Sequence, residues 1–270
     1  MGGYTLEPTE QTEISTDVLP SEPSHVPHTV YPTPVCRFEN VLGEQRAEAL
    51  LSYVLRERRR FAPAAMMDQA TGQLKDSGPF FMLPVRSAAF SRYMAATLPR
   101  VKEAFGLQTQ LTHTDMTLAA YGEGGHMGVH TDASKVPDPP ASVSAIYYLH
   151  RRPRGFDGGQ LRIYDTVVCD GQADRADSYR VIEPVHDTIV FFPATAYHAV
   201  TPATCPSGEF ADYRFTLSMW AFADRQEDIS TPPVLSPTLR AMAQAAARLP
   251  HTVHRKGTPL PLPEHGLVRL

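Results

Sequence analysis

The sequence predicts an all-β core of sandwich or jelly-roll type, preceded by helices and carried between two Pro-rich extensions. Three observations predict it. From residue 111 to 222, short runs rich in Val, Ile, Tyr, Phe and Thr alternate with Gly, Pro and Asp turns, the punctuation of an all-β unit. Upstream, two longer stretches repeat their apolar residues at helical spacing. Both ends of the chain are rich in Pro and polar residues and hold few groups able to form a core. A chain of 270 residues has room for one substantial core, so the expected plan is a flexible tail over 1–34, one main domain over 35–230 and an extension over 231–270. Within the domain, 35–110 is the helical part and 111–224 the barrel-like core.

Taken in order, residues 43–60 read as the first helix, because Ala47, Leu50, Leu51 and Val54 recur on one face. Arg58, Arg59 and Arg60 close it, and cations suit the C-terminal end of a helix dipole; they read as a solvated helix end rather than a substrate clamp. Residues 61–84 contain Thr71-Gly72 and Ser77-Gly78-Pro79, turn signals of a hairpin or loop that covers a site. A second helix is expected over 85–105. Strands are expected at 111–121, 142–149, 160–164, 179–183, 188–192, 198–201 and 213–222. In the last segment a short helix fits 236–249.

Composition narrows the functional classes. Lys and Arg total 25 against 29 Asp and Glu, a net charge of −4, which argues against nucleic acid or an anionic membrane surface as partner. Cys36, Cys169 and Cys205 are odd in number and lack metal spacing, as expected of reduced thiols in a cytoplasmic protein. The first residues show no apolar run of the secretory kind, and no stretch reaches transmembrane length.

The chemistry concentrates in Tyr121 to Asp132, a Gly-rich turn followed by His130-Thr131-Asp132, and in two downstream residues, His198 and Arg214. A His and an Asp two positions apart on extended backbone project to the same side. A second His from a distant strand completes a two-His-one-carboxylate set, which holds Fe(II) on one face and leaves positions open. The chain carries a second copy of the spacing, His113-Thr114-Asp115. That copy lies inside a strand-like run, whereas His130 follows the glycines, where a loop can place ligands at a barrel mouth.

Residues 121–222 resemble the prolyl 4-hydroxylase-like branch of the Fe(II)/2-oxoglutarate dioxygenase superfamily. The matching pieces are Tyr121, His130 with Asp132, Ala145-Ile146-Tyr147-Tyr148-Leu149, Gly158-Gly159-Gln160-Leu161, His198-Ala199-Val200, and the run from Tyr213 to Trp220. The resemblance implies a double-stranded β-helix with N-terminal helices packed on its major sheet. It implies Fe(II) on His130, Asp132 and His198, and 2-oxoglutarate and O2 as cosubstrates, with ascorbate as an in-vitro activator. Arg214 would bind the distal carboxylate of 2-oxoglutarate, since a planar guanidinium can hold a carboxylate bidentately. Tyr121, Tyr148, Leu161, Ser218 and Trp220 would line the cosubstrate pocket, with Arg214, Thr216, Ser218 and Trp220 on one strand face. The gap between His198 and Arg214 is longer than is usual in the family, which fits an enlarged loop around Cys205.

Related halogenases carry a small residue where this chain has Asp132, so the resemblance implies hydroxylation of a peptide, a protein residue or an amino-acid-like metabolite. Desaturation or oxidative cyclisation by the same machinery, and a catalytically silent cupin-like metal-binding protein, are the alternatives; the Arg214 and Tyr121 pair argues against the silent one. For substrate contacts the candidates are His113, Asp115, His126 and Arg154. The sequence leaves substrate identity and oligomeric state open.

Overall fold

The computed structural model describes residues 28–64, 77–108, 110–133, 141–169, 172–223 and 253–256. The first helix, α1 (Glu44–Arg56), follows Gly43 at φ 78° and runs into a short 3-10 turn over Glu57–Arg60. Ala47, Leu50, Leu51 and Val54 are all buried, so the periodicity marks the packed face. The second, α2 (Ala88–Phe105), starts later than the sequence suggests because Ser87 is its cap: the Ser87 hydroxyl accepts from the Phe90 N–H at 3.4 Å. Gly106 ends it in the left-handed conformation.

The strands are β1 (His28–Tyr31), β2 (Cys36–Glu39), β3 (Ala62–Ala64), β4 (Phe80–Pro84), β5 (Leu111–Tyr121), β6 (Met127–His130), β7 (Ala141–Leu149), β8 (Asp157–Gly158), β9 (Leu161–Cys169), β10 (Gln172–Ile182), β11 (Thr188–Pro193), β12 (His198–Val200), β13 (Ala203–Thr204), β14 (Arg214–Ala223) and β15 (Val253–Lys256). Among the described residues the major sheet has the order β15-β2-β11-β7-β14-β5-β4-β3. The minor sheet has the order β1-β9-β12-β6, with β10 also paired to β9, and β13 with β8 form a small ribbon. Together the sheets make the double-stranded β-helix that the sequence implied.

Alternation along the strands splits the core in two. On β14, Phe215, Leu217, Met219 and Ala221 join Leu50, Val54, Phe90, Met94 and Phe105 in one apolar cluster, so both helices cover the outer face of the major sheet. The opposite face meets the minor sheet: Tyr121, Tyr148, Val190 and Phe192 pack with Leu161, Ile163, Ile182 and Val200. The functional residues lie between the sheets, on this second face.

Asp187 braces the helical layer against the barrel. It lies at φ 56°, a left-handed conformation that Asp tolerates better than most residues. Its carboxylate accepts from the Leu42 N–H, the Gly43 N–H and the Tyr147 hydroxyl, each at 2.9 Å. Bonds to a charged acceptor contribute about 1.5–3 kcal/mol each, so this one side chain ties the start of α1 to β7 and β11.

Several expectations need correction. The tail assigned to 1–34 is too long at its C-terminal end, because β1 pairs with β9 and Thr33 donates to the Tyr164 carbonyl at 2.7 Å. His28-Thr-Val-Tyr31 has the β-branched and aromatic residues of a strand, but its flanking prolines hide it. The strands expected at 160–164 and 179–183 are parts of the longer hairpin β9–β10. The charged residues of β10, Asp174, Arg175, Asp177 and Arg180, conceal its alternation and suit a sheet edge. The enlarged loop after β13 contains a 3-10 turn, Phe210–Asp212, held by Ser207 donating to Asp212 at 2.6 Å. Of the covering segment at 61–84, β3 and β4 form a hairpin that extends the major sheet; residues 65–76 lie outside the described residues, as does the helix expected at 236–249. Within the extension, β15 lies parallel to β2.

Candidate functional site

The glycine-rich turn after β5 delivers β6, and β6 pairs with β12 so that His130 and His198 face each other in register. Their rings lie 4.1 Å apart between centroids. Asp132 follows β6 on backbone pinned to the turn before β12: the N–H groups of Asp132 and Ala133 both donate to the Ala194 carbonyl at 2.9 Å. One ligand atom from each of His130, Asp132 and His198 lies within 4.8 Å of the others, a grouping able to hold a metal ion.

The tautomers suit a cation. Nδ1 of His130 is 2.8 Å from the Gly128 carbonyl, and Nδ1 of His198 is 3.0 Å from that of Ala196. A carbonyl only accepts, so Nδ1 carries the proton in each neutral ring and Nε2 presents its lone pair. Both Nε2 atoms stand 3.7 Å from the Asp132 carboxylate, one from each of its oxygens. Backbone carbonyls that fix ring orientation in this way are the usual support of a histidine metal ligand. Phe192 packs edge-on against His198 at 4.7 Å.

Asp132 is aimed by two donors. The Ser144 hydroxyl donates to Oδ2 at 2.6 Å, and the Trp220 indole N–H donates as well. Burial alone would raise the carboxyl pKa; the two imidazoles and these hydrogen bonds outweigh it and hold it below the ordinary carboxylate value. The cluster therefore presents an ionised carboxylate with Nε2 of each imidazole turned toward it. Ser144 was missed in the sequence, although with Ser142 it marks the polar end of the same alternation that carries Tyr148 on β7.

At the other end of the space between the sheets lies Arg214, 1% exposed. Its guanidinium carbon is 4.8 Å from the Tyr121 ring centre and 5.2 Å from that of Tyr148. Its Nε and Nη2 have no hydrogen-bond partner, and the Tyr148 hydroxyl is met by no group but Arg214 itself. Buried N–H and O–H groups are nearly always paired, so these fit the carboxylate of a ligand. Burial pushes the Tyr148 phenol up to about 12, with Arg214 and Arg37 pulling it part of the way back. Tyr121 is raised too, by burial above all, and stacks on Phe80 at 5.2 Å. Leu161 is fully buried beside them. Gly159, at φ 63°, leaves room for the arginine: a Cβ there would meet Arg214 Cδ at 2.5 Å.

The remaining candidates fare differently. Ser218 and Trp220 share the inner face of β14 with Arg214 and Thr216, opposite Ile146, Ser144 and Tyr148 of β7. His113 and Asp115 sit on β5 opposite Phe222 and Trp220 of β14; their side chains lie outside the described residues. His126 bonds through Nδ1 with the Gly124 carbonyl at 2.9 Å and packs so closely on Gly78 that a Cβ there would meet it at 2.5 Å. It holds the glycine turn against the approach to β4. Arg154 is engaged elsewhere, 3.6 Å from both Asp157 and Glu183 and 5.2 Å from the centre of the Phe156 ring. Arg58 rests over Phe210 and Arg60 pairs with Glu57, in keeping with an ordinary helix end.

Comparison with known proteins places the same segment. The profile of the 2OG-Fe(II) oxygenase superfamily matches residues 116–222. An uncharacterized PKHD-type hydroxylase of Synechocystis sp. is 24% identical over 185 residues, 67% of this chain; the match spans 61% of that relative's length. A crystal structure of a Pseudomonas putida prolyl-4-hydroxylase aligns with a TM-score of 0.51 and 23% identity, covering 71% of this chain and 94% of the other. A Trichoplax adhaerens prolyl hydroxylase, in complex with a peptide fragment of the hypoxia inducible factor oxygen degradation domain, aligns at 0.53 with 17% identity, covering 74% and 88%. At these identities the two structures speak for the fold. Among the described residues no helix is long and apolar enough to cross a membrane.

Proposed function

We propose that this chain, a member of the 2OG-Fe(II) oxygenase superfamily, hydroxylates an unactivated C–H bond of a peptide, a protein residue or an amino-acid-like metabolite. The observation that carries the reading is the pairing of two groups in the space between the sheets: the His130, Asp132 and His198 cluster, and the buried guanidinium of Arg214 with two of its nitrogens unpaired. A binding protein that only held a metal would have no use for a buried arginine with two nitrogens left unpaired. The PKHD-type relative is named a hydroxylase, and the Trichoplax structure holds a peptide; both are compatible with such a substrate.

Fe(II) fits the donor set, with two imidazole Nε2 atoms and one carboxylate to hold it. Bound there with 2-oxoglutarate and O2, it would supply oxidative decarboxylation: succinate and CO2 leave, one oxygen atom enters succinate and the other the substrate. The chain's own residues bind, orient and exclude water. Arg214 offers its fork of N–H groups to the distal carboxylate and the Tyr148 hydroxyl donates beside it. Tyr121, Leu161 and Val200 wall the cavity with apolar surface, which strengthens these charged bonds by lowering the local dielectric. Ser144 and Trp220 fix the Asp132 carboxylate. Asp132 would supply a third protein ligand where a halide would otherwise need room, and the reading favours hydroxylation over halogenation.

Succinate release from purified protein given Fe(II), ascorbate and 2-oxoglutarate tests the reading. Mass spectrometry of a panel of peptides and free amino acids then identifies the product. Gain of one oxygen supports hydroxylation, loss of two hydrogens would replace it with desaturation, and no 2-oxoglutarate turnover with any substrate would leave the silent binding protein.

A further inference from the structure

Thr188 opens β11 fully buried, yet its hydroxyl has no hydrogen-bond partner. Burying a hydroxyl unpaired is costly, so a group in this condition points to a ligand that completes it. Alternation places it on the cavity side: Val190 and Phe192 of the same strand pack with Tyr148, while Ile189 and Phe191 face the helices. In register Thr188 is opposite Tyr148, and Tyr148 is opposite Thr216 of β14. One row across four strands therefore reads Thr216, Tyr148, Thr188 and then Glu39 of β2, and paired side chains in such a row start about 4.5–5.5 Å apart at Cβ.

The Thr188 hydroxyl lacks a partner, the Tyr148 hydroxyl is met by no group but Arg214 itself, and Nε and Nη2 of Arg214, above the Tyr148 ring, are unpaired. The next strand adds Arg37, whose Nε is likewise unpaired but whose charge is met by Glu39 at 3.0 Å. Arg214 has no such carboxylate among the described residues. The uncompensated charge of Arg214 and the hydroxyls of Tyr148 and Thr188 thus share one face of the major sheet, with Tyr148 between the other two.

We propose that Thr188 is a further binding residue for the distal carboxylate of 2-oxoglutarate. Arg214 supplies the charge, and the hydroxyls of Tyr148 and Thr188 donate to the same carboxylate. The inference rests on the cosubstrate reading above and assigns a residue that no part of the motif from Tyr121 to Trp220 singles out. It also explains a Thr at the start of a strand whose other residues, Ile189 to Phe192, are all apolar.

Thr188→Val keeps the shape and removes the hydroxyl. The test is 2-oxoglutarate binding to the Fe(II)-loaded protein under anaerobic conditions, by calorimetry, together with the melting temperature of the protein without cosubstrate. Loss of one hydrogen bond to a charged group should raise Kd roughly ten-fold, with Fe(II) affinity unchanged. Without cosubstrate the variant should melt at the same temperature or higher, because an unpaired hydroxyl has been removed; a merely structural threonine would melt lower. Thr188→Ser should recover most of the affinity. An unchanged Kd in Thr188→Val, or a weakened one that Thr188→Ser does not rescue, overturns the assignment. Arg214→Ala separates the two levels. If wild type binds 2-oxoglutarate and Arg214→Ala does not, an unaffected Thr188→Val sinks only Thr188, whereas a wild type that binds none sinks the cosubstrate reading with it.

Discussion

Gly159→Ala should weaken the proposed cosubstrate anchor without replacing any group that binds cosubstrate. At φ 63° the backbone is left-handed, and an added Cβ would meet Arg214 Cδ at 2.5 Å and Nε at 3.1 Å. Arg214 is 1% exposed, so it has little room to yield and its guanidinium must shift along the cavity. Gly208 provides the control, since it has the same φ of 63° and an added Cβ there would meet nothing within 4 Å. Each substitution bears the left-handed penalty of about 1–2 kcal/mol, lowering Tm by roughly 2–4 °C per kcal/mol. Only Gly159→Ala adds the displacement, worth one charge-assisted bond of ~1.5–3 kcal/mol, or roughly ten- to hundred-fold in 2-oxoglutarate affinity. Thermal melts and anaerobic titration of 2-oxoglutarate read the two effects separately. Equal affinities in the two variants would refute the argument that Gly159 makes room for a binding arginine.

Three other outcomes follow from named groups. Arg214→Lys keeps the charge but loses the planar fork, so the KM for 2-oxoglutarate should rise about ten-fold or more while Fe(II) binding, measured calorimetrically, stays as in wild type. Burial pushes the Cys36 thiol up to about 11, and Cys205 is buried too, whereas Cys169 is exposed; brief alkylation of the native protein should label Cys169 first, as peptide mass mapping would show. His150 is held below its ordinary value near 6.5, by burial first and then by His186 and Arg154, against the opposing pull of the Arg151 carbonyl. The unfolded chain therefore binds the proton more readily, so this contribution to stability is present above pH ~6.5 and is lost as pH falls through the folded-state pKa; His150→Phe should flatten that part of a Tm-against-pH curve.

Much of the site was legible because the strands alternate with period two. The spacing His130-Thr-Asp132 and the row Arg214, Thr216, Ser218 and Trp220 each follow from that period, and the structure places them as the alternation requires. The helices were legible from α1's buried positions, with their starts displaced by the caps at Gly43 and Ser87. What escaped depends on tertiary pairing. Ser144 acquires its partner only when β7 passes beside the segment after β6, and Thr188 gains its meaning only from the register that sets it beside Tyr148. Strand β1 hides among prolines, and β10 hides beneath the charges of a sheet edge. Arg154 stands out in the sequence as a loop arginine near a glycine pair, and its pairing with Asp157 and Glu183 comes only with the fold.

The central claim is that His130, Asp132 and His198 hold the iron, and anaerobic titration of Fe(II) tests it most directly. The wild-type protein and His113→Ala should each bind one Fe(II) with the same affinity, because His113 belongs to the decoy copy of the spacing. His130→Ala, Asp132→Ala and His198→Ala should each lose that binding while keeping a cooperative melt. A triad variant that still bound Fe(II) as wild type does, or a His113→Ala protein that alone lost it, would contradict the account.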